Sequence, residues 1–265
     1  MSAVIEVQPA RSAQEQFDRQ ASHYDAQWNA WNRESLEWMM DRAEATPLDI
    51  MLDVATGAGF TALAFAGLVC EVVGIDVSAG MLDQAGTRAD DLEITNVGFR
   101  IAPAEDLPFA DSSFDIVTCR VAAHHFLDIH AFAREAARVL RPGGRLLIAD
   151  TTVPDEAPEA ADWQNAVEIA RDPSHVRNYT PLKWQAIVKK VGLNVVETTS
   201  TGSGITIPLT DWMRKSGCTP DQEGDVRTRF ETAPQSARSI FDIHQDADGE
   251  TVFTWQRVLL KAVKP

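Results

Sequence analysis

The stretch MLDVATGAGFTALAF, Met51 to Phe65, decides how the rest of the chain is read. An apolar run ends at Val54, a glycine loop follows, and a second apolar run resumes at Phe60. That is the order strand, tight turn, helix. Gly57 and Gly59 remove side chains where the backbone turns sharply and approaches a ligand, and the helix after them offers N–H groups with no partner inside the helix. The spacing Gly57, Gly59, Ala62 also fits the dinucleotide template G-x-G-x-x-G/A. The loop alone leaves open whether it holds a pyrophosphate or a ligand without phosphate.

On either side of this loop, short runs rich in Val, Ile and Leu alternate with helix-like segments, the pattern of a parallel sheet covered on both faces. Strands are expected at residues 50–54, 70–75, 97–101, 115–119, 145–149, 194–198 and 252–263. The last should run antiparallel, because it follows a long excursion rather than a short crossover. Ser78 suits the cap of a helix through Met81, Leu82 and Ala85, and Pro181 suits the first turn of one through Trp184, Ile187 and Val188.

Residues 1–265 read as one α/β domain, with core segments 46–153, 181–201 and 250–265. Residues 1–45 carry aromatics at Phe17, Tyr24, Trp28, Trp31 and Trp38 and read as an N-terminal helical lid. The long connections 154–180 and 202–249 are expected to form a helical cap that shapes a pocket.

Composition narrows the partners. The formal charge is −15 at pH 7 with a pI near 4.7, so phosphate backbones and anionic membrane surfaces would be repelled. A small molecule is the expected partner, with no nucleic acid, no integral membrane segment, and a homodimer as the open question of assembly. No basic segment followed by an apolar stretch opens the chain, and a cytoplasmic location is expected. Cys70, Cys119 and Cys218 are odd in number and widely spaced, which suits reduced, buried thiols rather than a disulfide frame or a zinc site. No His or Cys spacing suggests a metal.

Two carboxylates narrow the ligand. Asp53 ends the first strand, where its charge should face the ligand, repel a pyrophosphate and favour a cation such as a sulfonium or an ammonium. Asp76 ends the second strand, nineteen positions after Gly57, where it can accept hydrogen bonds from both hydroxyls of a ribose. Together they call for a ligand with a ribose and a positive charge.

On LDVATGAGF, VVGIDVSAGML, AEDLPFADSSFDIVTCR and LRPGGRLLIAD, in order and at proper spacing, the chain resembles the class I S-adenosylmethionine-dependent methyltransferases. FDRQASHYD, Phe17 to Asp25, adds likeness to the ubiquinone/menaquinone-biosynthesis type that acts on small molecules. The resemblance implies a Rossmann-like, seven-stranded, mostly parallel sheet and S-adenosyl-L-methionine as methyl donor. It implies donor contacts at Tyr24, Asp53, Ala55, Gly57, Gly59, Asp76, Val77, Met81, Ala104, Glu105 and the backbone of Arg120. Pro103 stands where the family commonly has Asp or Asn, so adenine recognition here would rest on backbone groups and packing.

Methyl transfer from a sulfonium is an in-line displacement, and a base is needed only when the acceptor keeps a proton. CRVAAHHFLD places His124 and His125 after the fourth strand, and NAVEIARDPSHVRNYT gathers polar groups in the cap. His175 and His125 are the candidate bases, and Asn165, Arg171, Arg177 and Tyr179 the candidate substrate contacts. Two rival readings stay open: an NAD(P)-dependent oxidoreductase, and a non-catalytic S-adenosylmethionine-binding protein.

Overall fold

The structure, a computed structural model, describes residues 13–20, 32–202 and 204–265. Its helices are α1 (Ala13–Gln20), α2 (Arg33–Arg42), α3 (Phe60–Ala66), α4 (Ala79–Asp91), α5 (Ile129–Val139), α6 (Pro158–Arg171) and α7 (Pro181–Lys190), then α8 (Leu209–Lys215), α9 (Pro220–Glu231) and α10 (Gln235–Ile240). Its strands are β1 (Ile50–Val54), β2 (Glu71–Asp76), β3 (Val97–Ile101), β4 (Phe114–Arg120), β5 (Leu140–Thr152), β6 (Asn194–Gly202), β7 (Ile207–Pro208), β8 (His244–Gln245), β9 (Thr251–Phe253) and β10 (Gln256–Val263).

Seven strands form the main sheet in the order β3-β2-β1-β4-β5-β10-β6. β1 through β5 pair in parallel, and β10 runs antiparallel between β5 and β6, as its position after the long excursion suggests. The chain reverses its direction of travel across the sheet between β1 and β4, which opens a crevice at the strands' carboxyl ends.

β1 lies at the centre, and its alternating side chains feed two cores. Leu52 and Val54 join Phe132, Ala136, Trp184 and Val188 on one face, while Met51 joins Met39, Ala62 and Phe65 on the other. α5 belongs where it is because Ile129, Phe132, Ala133, Ala136 and Ala137 recur on one helical stripe, and all are buried. α4 starts where Ser78 accepts the Met81 N–H through its hydroxyl, a cap that contributes about 1 kcal/mol.

The insertions build a cap with an apolar core of its own, in which Val167, Trp212, Phe230, Phe241, Phe253 and Trp255 pack together. It is not purely helical: β7, β9 and β8 make a three-stranded antiparallel sheet inside it. The stretch 252–263, expected as one strand of the core, is two. β9 belongs to the cap and β10 to the main sheet, because Trp255 is drawn into the cap core and the Thr254 N–H bonds the Phe241 carbonyl at 2.7 Å. The expectation of three buried thiols is also corrected, since Cys70, just ahead of β2, is exposed.

Candidate functional site

A cavity of about 400 Å³ lies over the carboxyl ends of β1, β2 and β4. The glycine loop forms its floor: the Thr56 N–H bonds the Ile75 carbonyl at 2.8 Å and the Gly59 N–H returns to Thr56 at 3.0 Å. The two glycines do different work. At Gly57, with φ +54°, an added Cβ would meet no protein atom within 4 Å, so the space above it is the cavity. At Gly59, with φ +82°, a Cβ would stand 2.9 Å from Ala85 Cβ, so this glycine lets the start of α3 pack on α4. Gly59 does not line the cavity.

Asp76 lines it, with Oδ2 accepting the Gly57 N–H and Oδ1 the Ser78 N–H, each at 2.9 Å. These bonds tie the glycine loop to the end of β2 and hold the carboxylate in one orientation. Burial raises its pKa against those bonds.

Asp53 is a correction. It does not reach the cavity but lies one layer below, on the same side of β1 as Met51, and accepts the hydroxyls of Thr56 and Thr118 at 2.6 Å each. Burial raises its pKa, with Arg120 among the opposing influences. Its part is to brace the loop, and it does not line the cavity where a charge facing the ligand was expected.

Ala55, Val77, Met81, Ala104 and Glu105 line the cavity, as does Pro103. Glu105 is turned toward the chain, accepting the Leu127 N–H at 3.0 Å. Arg120 lines the cavity as well, and its guanidinium bonds Thr61 Oγ1 at 2.8 Å and the Asn32 carbonyl at 3.3 Å. Tyr24, with Trp28 and Trp31, lies outside the described residues. The described part of the expected lid, α1, contributes Ala13, Gln14 and Phe17 to the rim, whereas Trp38 packs against the core beneath α2.

These residues fit S-adenosylmethionine. A fixed carboxylate at the end of β2 suits a ribose diol, Met81, Ala104 and Phe126 offer an apolar slot for a planar ring, and Arg120 puts a guanidinium at the far end for a carboxylate.

A second, inner cavity of about 70 Å³ opens beside the first, between the sheet edge and the cap. Phe17, Val121 and His125 line both. Val121, just past β4, is held at φ +53°, a strained conformation for a β-branched residue. Thr151 and Arg257 reach the inner cavity together because β10 is antiparallel and pairs them in register, bringing its first residues to the same edge as the ends of β4 and β5.

His125 sits at the junction with its ring orientation fixed. The Ser174 hydroxyl donates to Asp172 Oδ1 at 2.6 Å, and its oxygen lies 3.0 Å from His125 Nδ1. With the hydroxyl proton committed to Asp172, Nδ1–H is the donor to Ser174 and Nε2 keeps its lone pair. Burial, with His124 beside it, lowers the His125 pKa to about 4, so the ring is neutral at ordinary pH. Burial works against ionisation of Asp172, but His125, Arg171 and the bonds from Ser174 outweigh it and keep the carboxyl below its usual value.

His124 differs from its neighbour. Burial lowers its pKa, yet Asp150, 2.6 Å from Nδ1, outweighs this and raises it. The pair anchors the turn after β4 to the end of β5, where Asp150 also accepts the His124 N–H at 3.0 Å.

His175, the other candidate base, lines neither cavity. Its Nε2 bonds Asn165 Oδ1 at 3.2 Å, and burial drives its pKa well below the ordinary value, so it is packing behind His124. Asn165 is occupied in the same way, also accepting the Asn178 N–H, and it opens with Arg177 onto a different surface depression. Tyr179 packs against Trp184 and lines no described cavity.

Arg171 alone of the four substrate candidates lines the inner cavity. The reason is the phase of α6, whose buried stripe is Ala160, Gln164, Val167, Glu168 and Arg171 rather than the face carrying Asn165. Three polar residues on the inward stripe of a cap helix were the signal available for Glu168 and Arg171. Thr151, Asp150, Trp212, Trp255 and Arg257 had none.

A family model described as a methyltransferase domain matches residues 52–148. The chain is 34% identical over 249 residues to the uncharacterized methyltransferase YcgJ of Bacillus subtilis, covering 94% of this chain and 97% of that one. The crystal structure of YcgJ superposes with a TM-score of 0.81 over 88% of this chain and 98% of its own, at 35% identity. The ubiquinone/menaquinone biosynthesis C-methyltransferase UbiE of Geotalea daltonii is 32% identical over 53% of this chain and 63% of its own. A geranyl diphosphate C-methyltransferase from Streptomyces coelicolor, solved with S-adenosyl-L-homocysteine, shares the fold at 17% identity and a TM-score of 0.60, over 88% and 77% of the two chains. The chain belongs to the class I S-adenosylmethionine-dependent methyltransferases, and of the three readings that the residues left open, methyl transfer is the one that stands.

Proposed function

We propose that the acceptor is a small molecule bearing a proton on the atom to be methylated, and that His125 is the catalytic base, with Ser174 and Asp172 as positioning residues. One observation carries this: His125 stands at the junction of the two cavities, and no hydrogen bond involves its Nε2 among the described residues. S-adenosylmethionine supplies an electrophilic methyl group, and its sulfur leaves as a thioether with the bonding electron pair.

The chain's own residues bind, align and deprotonate. Asp76 and Arg120 hold the two ends of the donor, and Phe17 and Val121 narrow the passage through which acceptor and methyl group must meet in line. Nε2 of His125 accepts a hydrogen bond from the acceptor O–H or N–H, which directs a lone pair toward the methyl group. As the new bond forms the acceptor proton becomes strongly acidic, so a weak, neutral imidazole suffices to take it.

The strongly acidic composition supports a small molecule over a nucleic acid. Sedimentation velocity reads whether two copies pair.

Incorporation of labelled methyl from S-adenosylmethionine into a panel of small phenols and amines, with wild type and His125→Gln, tests the base. The variant should lose about a hundredfold in turnover with donor affinity unchanged. Equal turnover would show that His125 takes no proton.

A further inference from the structure

The inner cavity is asymmetric in its buried polar atoms. Two side-chain atoms in its wall are buried with no hydrogen-bond partner, Arg171 Nε and Trp255 Nε1, and both are N–H donors. Arg171 is 7% exposed and Trp255 5%. The carboxylates of the same wall are engaged, Glu168 with Arg171 at 2.9 Å and Asp172 with Ser174 at 2.6 Å. Buried donors without acceptors are rare, and two of one sign in one small cavity call for a ligand that brings acceptor oxygens.

The surroundings define that ligand further. The Arg171 guanidinium is clamped: it stacks 4.3 Å above the Trp212 ring, bonds Ser216 Oγ and bonds Glu168. A guanidinium fixed in this way presents Nε–H in one direction, the geometry that suits a carboxylate oxygen. Arg257 adds a second guanidinium to the wall, and Trp212, Trp255, Ile207 and Phe17 supply flat apolar surface. The volume of about 70 Å³ is about the liquid share of two waters, room for an acid group. The body of the ligand must then extend through the junction to His125.

We propose that the methyl acceptor is a small aromatic carboxylic acid whose carboxylate is received by Arg171 Nε–H and Trp255 Nε1–H, leaving the proton-bearing group at the other end of the ring beside His125. Arg171 and Trp255 are then specificity residues for acidic acceptors. The assignment rests on the reading of His125 as the base at the junction, but it fails or stands separately.

Calorimetric titration of the S-adenosylhomocysteine-loaded protein with 4-hydroxybenzoate, and with the neutral isostere 4-hydroxybenzamide, tests it. The carboxylate should bind at least tenfold more tightly than the amide, and Trp255→Phe, which removes the N–H together with the five-membered ring, should weaken the carboxylate at least fivefold and narrow its margin over the amide. In ¹⁵N-tryptophan-labelled wild type the Trp255 indole N–H resonance should move downfield as 4-hydroxybenzoate is added, a readout that needs no variant. Equal binding of the two probes, binding of neither, or an unmoved Trp255 resonance overturns the proposal. His125→Gln should keep the preference for the carboxylate over the amide, since both probes carry the same hydroxyl, so that a failed base assignment shows in turnover and a failed acceptor assignment in that preference.

Discussion

Replacing each loop glycine by alanine separates what the two contribute. Gly57 and Gly59 both lie at positive φ, +54° and +82°. An alanine forced into that region costs about 1–2 kcal/mol. Gly57→Ala adds no clash, because nothing lies within 4 Å of its Cβ, so its stability loss should stop near that figure. Gly59→Ala places a methyl 2.9 Å from Ala85 Cβ and 3.3 Å from Ala85 Cα, atoms set by a packed helix, and overpacking adds about 1–3 kcal/mol. Its total is then about 2–5 kcal/mol, a large share of the roughly 5–15 kcal/mol that holds a domain together. Guanidinium chloride unfolding at constant slope reads both. Affinity should rank the other way. The Gly57→Ala methyl projects into the donor cavity and should weaken S-adenosylhomocysteine tenfold or more by calorimetry, whereas Gly59 does not line that cavity. If Gly59→Ala costs no more than Gly57→Ala, the close approach of α3 to α4 is not what this glycine serves. If Gly57→Ala binds within twofold of wild type, the donor does not lie over Gly57.

Two further outcomes follow from the carboxylates and histidines. Asp76→Asn keeps the side chain's shape but removes its charge and one acceptor, so S-adenosylhomocysteine affinity should fall about tenfold to a hundredfold, from the loss of about 1.5–3 kcal/mol in bonds to a charged group. Unchanged affinity by calorimetry would remove Asp76 from the ribose contact. His125 has a folded pKa of about 4 against an ordinary 6.5, so between those values the unfolded chain takes up a proton that the folded one refuses. Wild type should therefore lose about 3 kcal/mol from this group as pH falls from 6.5 to 4, while His125→Gln escapes that loss. His124 acts in the opposite sense, because Asp150 raises its pKa and its contribution fades as pH rises through the folded value. Comparing wild type with the variant isolates the part of the loss that needs His125, its repulsion with His124 included, and parallel stability curves would show that His125 is not buried neutral.

Much of the donor side was legible because it is local. The run from Met51 to Phe65 carries strand, turn and helix in sequence, and Asp76 reaches the cavity because it is the last residue of the next parallel strand. Asp53 shows where local reading stops. Its place at a strand's end was evident, but whether it meets the ligand depends on Thr56 and Thr118, whose hydroxyls cover it from the glycine loop and from β4. On the acceptor side the expected His175, Asn165, Arg177 and Tyr179 line neither cavity, and polar spacing on α6 and the loop after it cannot reveal which stripe the cap core buries. Arg171 and Ser174 lie only a few residues from His175 in sequence, yet Arg171 faces the inner cavity and Ser174 holds His125.

By itself, the amino-acid sequence determined the α/β class, the antiparallel last strand, the glycine loop and the carboxylate at the end of β2, since each rests on periodicity, turn chemistry or chain order within a few tens of residues. Only the tertiary structure decided which histidine stands at the junction, which guanidinium and indole line the inner cavity, and which carboxylate lies beneath the floor. Those residues come from β4, β5, α6, β10 and the cap, and they share one site because an antiparallel strand returns Arg257 to Thr151 and because the cap buries one particular stripe of α6. Side-chain periodicity says that a helix has an inner face, but it is the packing of distant segments that chooses which residues occupy it.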